Sequence, residues 1–279
     1  MLEASPSVRE TVERLLRHDF ATIKVPLLGP LEEVFRSAVD FFRSALEDKL
    51  ANRLQLDTGY RPYGVEYSES AAHPDEVESF SVSRRASRVE AAPQSATAVA
   101  LHRAMLQLFD LMVPIAEQLT DALASQLTGD RQTQAVRGAV AQWSILQLNY
   151  SRPALTRSEF INDLHEDGCL MTLMSVTSPG LELQRSDGTF LPVGPLPNEF
   201  LLLPGEILWL LSGGTVRPTY HRVRTIPDIT ERMSLLFFAD IDPALCKPWI
   251  SNDVNKGVNI GDLVLKNSTR YGLDEWATE

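Results

Sequence analysis

A series of seven short apolar segments in the second half of the chain constrains the fold most strongly. Turn residues separate these segments: Ser178-Pro179-Gly180, Asp187-Gly188, Pro204-Gly205 and Ser212-Gly213-Gly214. Short apolar segments of this kind predict strands, and the Gly- and Pro-rich residues between them predict tight turns. We predict strands over residues 141–150, 170–176, 181–185, 199–203, 207–211, 220–225 and 233–239. Many short, regularly separated strands are typical of a sandwich or jelly roll.

The first half of the chain is helical in pattern. Apolar residues recur at helical spacing over 31–50 and again over 96–127, where Pro114 should kink the helix and Gly129 should end it. Residues 57–93 lack a period but contain aromatic residues, which favours an ordered loop. We therefore expect an α+β fold: a helical accessory region over 1–139 packed on a β core over 140–279, forming one structural unit.

Charge and cysteine content limit the partners. The net charge of −11 argues against nucleic acid, because phosphate binding requires a basic surface. Two cysteines are too few for a disulfide framework, the N-terminus has no apolar leader, and the longest apolar runs have strand length. We expect a cytoplasmic protein without a membrane partner, and a monomer is favoured.

Candidate metal ligands lie in the strand-rich half. On extended backbone, His165 and Asp167 point to the same face, and His221 can supply a second imidazole if the strands fold back as a jelly roll. Two histidines and one carboxylate on one face of a metal leave open positions, as in non-haem Fe(II) enzymes. A lone His-x-Asp is more often a surface turn or a hydrogen-bonded pair, so the surrounding residues decide.

Arg232 and Ser234 are those surrounding residues. They begin an apolar strand at positions i and i+2, so a guanidinium and a hydroxyl project together, as a carboxylate site requires. A surface ion pair is the alternative for Arg232, but the apolar run 235–238 favours a buried strand. Since a buried arginine needs an anionic partner, a bound dicarboxylate would satisfy it.

With these residues the chain resembles the isopenicillin N synthase-like branch of the 2-oxoglutarate/Fe(II)-dependent dioxygenases. The similarity extends over most of the chain. Its motifs are His165-Glu166-Asp167 with Thr172, Gly180-Leu181-Glu182-Leu183, Pro204-Gly205-Glu206, His221-Arg222-Val223, Arg232-Met233-Ser234 and, in the first half, Gly59-Tyr60, Asp75 and Glu78. The resemblance implies a distorted double-stranded β-helix with N-terminal and flanking helices. It also implies Fe(II) on His165, Asp167 and His221, with 2-oxoglutarate on Arg232 and Ser234.

The resemblance suggests further site residues. Asn149 matches the asparagine of an Asn-x-Tyr motif near the cosubstrate, but Ser151 stands in the tyrosine position, so either Tyr150 takes that role or the contact is lost. Phe238 matches a residue bordering the substrate pocket, with ordinary core packing equally open, and Gln147 is a candidate substrate contact.

The implied function is oxidation of a small metabolite, as in secondary metabolism, by C–H hydroxylation, desaturation or ring formation with dioxygen. Two alternatives stay open. The first is a same-fold Fe(II) oxidase that does not use 2-oxoglutarate and in which Arg232 and Ser234 bind the substrate's own carboxylate. The second is a non-catalytic binding module that retains the barrel.

Overall fold

The structure, a computed structural model, describes residues 8–25, 27–53, 57–68, 70–85, 93–129 and 140–266. Seven α-helices lie in these ranges: α1 (Val8–His18), α2 (Leu28–Phe42), α3 (Leu46–Leu50), α4 (Ala96–Thr128), α5 (Val140–Trp143), α6 (Glu206–Leu211) and α7 (Ile260–Lys266). The predicted C-terminal segment beyond residue 266 and the first seven residues lie outside the described ranges.

Eleven strands lie in the same ranges. They are β1 (Ala21–Lys24), β2 (Gly59–Arg61), β3 (Glu78–Ser83), β4 (Ile145–Ser151), β5 (Phe160–His165), β6 (Met171–Val176), β7 (Leu181–Gln184), β8 (Phe190–Val193), β9 (Glu199–Pro204), β10 (His221–Arg224) and β11 (Arg232–Ala239).

Two antiparallel sheets form the core. The larger has the strand order β1-β9-β6-β11-β4-β3-β2, and the smaller has the order β5-β10-β7-β8. Strands β1, β2 and β3 of the first half share the larger sheet with strands of the second half. The two regions expected on either side of residue 140 therefore contribute to one sheet.

Apolar residues fill the space on both sides of the larger sheet. Between the sheets lies a cluster that includes Ile161, Met174 and Leu236. On the other side, a larger cluster joins the sheet to α2 and α4, with Phe109 of α4 packed edge-on against Phe237 of β11 at a 5.3 Å centroid distance. Burying these faces is the main driving force for the arrangement. The candidate site described below lies in a cavity lined by residues of both sheets.

Helix α4 agrees with its predicted extent and ends at Gly129, whose φ of 68° is left-handed. By length and composition alone it is apolar enough to cross a membrane. Twelve of its residues are buried, including Met105, Phe109 and Met112, and they pack on the protein core. That contact accounts for its apolar character as a core helix.

Several segments differ from the prediction, among them residues 140–143, which form helix α5 where a strand was expected to begin. Residues 207–211 form helix α6 instead of a strand, since a short apolar run fits either structure and Gly205 here begins a helix. Strands β2 and β3 lie within the segment expected to be a loop, and β5 and β8 were not predicted. All six residues of β3 are buried, so the strand lacks the alternation that marks a half-exposed one.

Candidate metal centre and cosubstrate site

His165 and His221 meet at one end of the smaller sheet. His165 is the last residue of β5, His221 is the first of β10, and the two are directly paired across the strands. Farther along the pair, Val223 faces Asn162, so three residues of β5 lie opposite two of β10. This bulge brings Asn162 and His165 to the same face although their spacing is odd. Both line the cavity between the sheets.

Asp167 lies in the turn after β5, where short helix α6 fixes the backbone. The backbone N–H of Glu206 donates to the carbonyl of Asp167 at 2.9 Å, and that of Ile207 donates to the carbonyl of Cys169 at 3.1 Å. A Cβ on Gly205 would lie 2.1 Å from the Cys169 carbonyl oxygen. Only glycine allows this approach, so Gly205 is what lets the helix hold the turn.

The three predicted ligands converge. Asp167 Oδ1 lies 3.9 Å from Nε2 of His165 and 3.9 Å from Nε2 of His221. The three ligand atoms lie within 4.8 Å of one another, close enough for one ion to contact all three. One carboxylate and two imidazoles on one side of an ion are the arrangement of non-haem Fe(II) sites.

Hydrogen bonds orient each ligand toward the common centre. Nδ1 of His165 donates to the carbonyl of Asp163 at 2.7 Å, and Nδ1 of His221 donates to the carbonyl of Thr219 at 3.1 Å. Backbone carbonyls can only accept, so each Nδ1 carries a proton. In both imidazoles this leaves Nε2 as the nitrogen that can bind a metal.

Thr172 fixes the carboxylate. Its hydroxyl donates to Asp167 Oδ2 at 2.5 Å and leaves Oδ1 directed at the histidines. Cys169 Sγ lies 3.4 Å from the same hydroxyl, and burial raises the pKa of its thiol well above the ordinary range. Because the threonine proton is used on Asp167, the neutral thiol donates to Thr172. A chain of two hydrogen bonds thus supports the metal-facing carboxylate.

Burial also sets the charge of the second imidazole. It lowers the pKa of His221 to about 4, with repulsion from His165 acting in the same direction. The imidazole is therefore neutral at physiological pH, which is the form that binds metals.

Arg232 is buried beside the cavity, as the sequence suggested. It is 3% exposed. Its Nη1 donates to Ser234 Oγ at 2.6 Å, its Nε donates to the Pro179 carbonyl at 3.2 Å, and its Nη2 is buried without a hydrogen-bond partner among the described residues. Burial lowers the pKa of Arg232 to about 10, which still leaves the guanidinium charged. A buried guanidinium with an unused Nη2 is the group that an anionic ligand would satisfy.

The other predicted site residues lie on one or the other face of the larger sheet, according to their position along the strand. Gln147 and Asn149 of β4 and Phe238 of β11 line the cavity together with Ser234. Tyr150 lies on the opposite face of β4, where its ring stacks on Phe42 at 4.8 Å. The expectation that Tyr150 contacts the cosubstrate is therefore corrected, because alternation along the strand turns it into the helix-facing core.

Tyr150 has its own partner on that face. Its hydroxyl donates to Glu231 Oε1 at 2.5 Å, and Glu231 also pairs with Arg43. Ser151, which occupies the usual tyrosine position, contacts the backbone carbonyl of Arg232 at 3.4 Å through its own hydroxyl.

A buried polar group below the cavity was missed from the sequence. Arg61 of β2 is 2% exposed; its Nη1 lies 3.1 Å from Glu66, and both Nη atoms donate to Gln147 Oε1 at 3.3 Å. Gln147 in turn donates to Glu66 Oε2 at 2.8 Å and to Asn149 Oδ1 at 2.7 Å. These bonds fix both amides. The only available signal was an arginine near aromatic residues in a segment that we expected to be a loop.

The residues present fit Fe(II) and 2-oxoglutarate. The ligand set contains two imidazoles and a carboxylate, and the unused Nη2 of Arg232 matches a distal carboxylate. An antiparallel two-sheet core with this triad at one end defines the class: a double-stranded β-helix with a facial metal site.

Comparison with known proteins identifies the family. A model of the 2OG-Fe(II) oxygenase superfamily matches residues 142–241, which contain all three ligands, Arg232 and Ser234. The match covers less than half of the chain, and over this segment it confirms the resemblance found in the sequence.

Individual proteins agree with this assignment. The chain is 32% identical to Protein SRG1 of Arabidopsis thaliana over 34% of this chain and 27% of that protein. It is 33% identical to thebaine 6-O-demethylase of Papaver somniferum over 38% of this chain and 31% of that protein. It thus spans less than a third of the length of these two relatives. A full-length Neurospora crassa protein, solved in complex with alpha-KG and thymine, superposes with a TM-score of 0.78 at 20% identity, covering 95% of this chain and 91% of that one. The predicted fold class is confirmed.

Proposed function

We propose that this chain is an Fe(II)- and 2-oxoglutarate-dependent oxygenase that oxidises a small metabolite by C–H hydroxylation, desaturation or ring formation. One observation carries the proposal: a facial triad of His165, Asp167 and His221 shares a cavity with Ser234. Ser234 is the hydrogen-bond partner of buried Arg232, whose Nη2 has no partner among the described residues. A binding module without chemistry has no need for this combination.

In this proposal the triad binds the metal, and hydrogen bonds from neighbouring groups orient the three ligands. The backbone carbonyls of Asp163 and Thr219 set the two histidine tautomers, and Thr172 sets the Asp167 carboxylate. Such outer contacts typically change metal affinity or activity by about 10–100-fold when they are removed.

Arg232 and Ser234 hold the distal carboxylate of 2-oxoglutarate. Arg232 is locked by Ser234 and by the Pro179 carbonyl, so little entropy is lost when a carboxylate accepts from Nη2. Asn149, opposite Ser234 in the β4–β11 register, offers an amide at the same end of the cavity.

When bound, Fe(II) and 2-oxoglutarate supply dioxygen activation coupled to decarboxylation to succinate and carbon dioxide, and with it the power to oxidise a C–H bond. The chain's own contribution is positioning and exclusion of water. Apolar side chains of Met174, Leu236 and Phe238 line the cavity next to the triad. They keep the oxidising centre dry and aim it at the substrate.

We also propose that the substrate is a small molecule and that the protein works as a cytoplasmic monomer. One relative is named as a demethylase of thebaine, and the Neurospora protein was solved in complex with thymine. The net charge of −11 and the two free cysteines support a reducing compartment without a nucleic-acid partner.

The test measures oxygen uptake and succinate formation by Fe(II)-loaded protein, with and without 2-oxoglutarate. The proposal expects succinate to appear only when iron, oxygen and 2-oxoglutarate are all present, and expects His221→Ala to abolish it. Oxygen uptake with a substrate but without any need for 2-oxoglutarate would establish the oxidase instead. If His221→Ala kept both oxygen uptake and succinate formation, the proposed metal site would be refuted.

A further inference from the structure

Asp75 is a buried carboxylate on the wall of the same cavity. It is 7% exposed and lies near the end of the segment between β2 and β3. Its Oδ1 accepts from the Ser68 backbone N–H at 3.2 Å, and its Oδ2 accepts from the Ser68 hydroxyl and from Asn162 Nδ2, both at 2.8 Å. Because Asn162 is on β5 three residues before His165, these bonds tie Asp75 to the strand that carries the metal ligand.

Its hydrogen-bond donors are all neutral. Among the residues that the structure describes, no lysine or arginine forms an ion pair with Asp75. Two other acidic residues of the cavity wall do have cations: Glu66 pairs with Arg61 at 3.1 Å, and Asp57 pairs with Arg85 at 3.4 Å. Buried carboxylates without a cation are costly, and burial raises the pKa of Asp75 to about 6. The group is still ionised at neutral pH.

The proposed metal and cosubstrate do not supply the missing charge. The two positive charges of Fe(II) and the one of Arg232 balance the one of Asp167 and the two of 2-oxoglutarate. With both cofactors bound, the Asp75 carboxylate therefore still has no cation among the residues that the structure describes.

One place remains on Asp75 for a ligand. A carboxylate has about four acceptor positions, and three protein donors occupy three of them, two on Oδ2 and one on Oδ1. The free position is on Oδ1. The same cavity is also lined by Tyr67 and Phe238, which offer aromatic surface to an organic cation.

We propose that the substrate is an amine whose protonated nitrogen binds Asp75, with its apolar body on the aromatic wall and the oxidised carbon toward the metal. This inference rests on the proposed function for the last point only. The ammonium completes the charge of the cavity and the fourth acceptor position of the carboxylate. The Asp75 carboxylate would repel an anionic substrate, so the pocket would favour amines over carboxylates.

The test is calorimetric binding to the full chain loaded with Mn(II), which replaces Fe(II) without turnover. The probes are benzylamine, phenethylamine and tryptamine, each compared with its carboxylate and alcohol counterparts. We expect the ammonium members to bind most tightly. Asp75→Asn should weaken them by about 10–100-fold, as expected for loss of a charge-assisted hydrogen bond. Glu76→Gln is the matched control, since Glu76 bonds Ser158 and Tyr63 outside this cavity.

Each titration is done with and without 2-oxoglutarate, which separates the two proposals. Failure of 2-oxoglutarate to bind would count against the proposed function, while amine binding to the Mn(II) form would still report on Asp75. Preference for carboxylates or alcohols, no binding of any ammonium probe, or unchanged amine affinity in Asp75→Asn would overturn the inference. If Asp75→Asn also lost 2-oxoglutarate binding, the wild-type preference among the matched probes would decide.

Discussion

Replacing Arg232 with methionine should separate cosubstrate binding from stability. Arg232 is 3% exposed and its Nη2 is buried without a partner among the described residues. In the absence of 2-oxoglutarate this guanidinium is an uncompensated buried charge, and apolar replacement of buried charges is often neutral or stabilising. We therefore expect the unfolding free energy of the cosubstrate-free variant to stay within about 1 kcal/mol of wild type.

The cosubstrate effect should be large. A hydrogen bond to a charged group contributes about 1.5–3 kcal/mol, and about 1.4 kcal/mol is one decade, so the variant should bind 2-oxoglutarate about 10–100-fold more weakly. At a concentration about 100 times the wild-type Kd, 2-oxoglutarate stabilises wild type by about 2.7 kcal/mol. The same concentration would then stabilise Arg232→Met by only about 0.4–1.4 kcal/mol.

The assay is denaturant unfolding of the Mn(II)-loaded protein with and without 2-oxoglutarate, supported by direct calorimetry. Arg224→Met is the matched control, since Arg224 pairs with Glu182 and Glu159 on the outer side of the smaller sheet. It should leave the 2-oxoglutarate effect unchanged. Equal stabilisation of wild type and Arg232→Met by 2-oxoglutarate would refute the assigned role, and so would collapse of the cosubstrate-free variant.

Three further outcomes follow from the site. Thr172→Val should weaken Mn(II) binding by about 10–100-fold in calorimetry, because the metal-facing carboxylate loses its hydrogen bond; unchanged affinity would contradict this. The folded-state pKa of His221 is lowered from 6.5 to about 4, so unfolding binds protons in that window. In the metal-free state, the unfolding free energy of wild type should fall by up to about 3 kcal/mol relative to His221→Gln as the pH decreases from 6.5 to 4. Parallel stability profiles of the two proteins over this pH range would contradict the lowered pKa. Gly205→Ala should cost about 1–3 kcal/mol of unfolding free energy and weaken metal binding, while Gly194→Ala, with open space around it, should do neither.

The metal ligands could be predicted because their chemistry is local. His165 and Asp167 lie two residues apart, and together with Arg232, Ser234 and the family resemblance this spacing indicated the ligands, although strand β5, which pairs His165 with His221, was not predicted. The reason given for their common direction was incomplete. His165 ends β5, whereas Asp167 lies in a turn that the N–H groups of α6 hold in place.

The residues that were missed depend on contacts distant in sequence. Asn162 reaches the cavity face only because of the bulge between β5 and β10, and a bulge leaves no mark in hydrophobic alternation. Arg61 and Gln147 are 86 residues apart, and their bond exists only because β2, β3 and β4 are neighbours in one sheet. Tyr150 was offered as one of two alternatives because a motif match does not account for strand parity, which turns it toward Phe42.

The most direct test of the central claim is an anaerobic crystal structure of the protein with Mn(II) and 2-oxoglutarate. The expected result is anomalous density for one Mn(II) bound by Nε2 of His165, Nε2 of His221 and Oδ1 of Asp167, with the distal carboxylate of 2-oxoglutarate accepting from Arg232 Nη2. Metal at another position, or 2-oxoglutarate bound away from Arg232, would contradict the account.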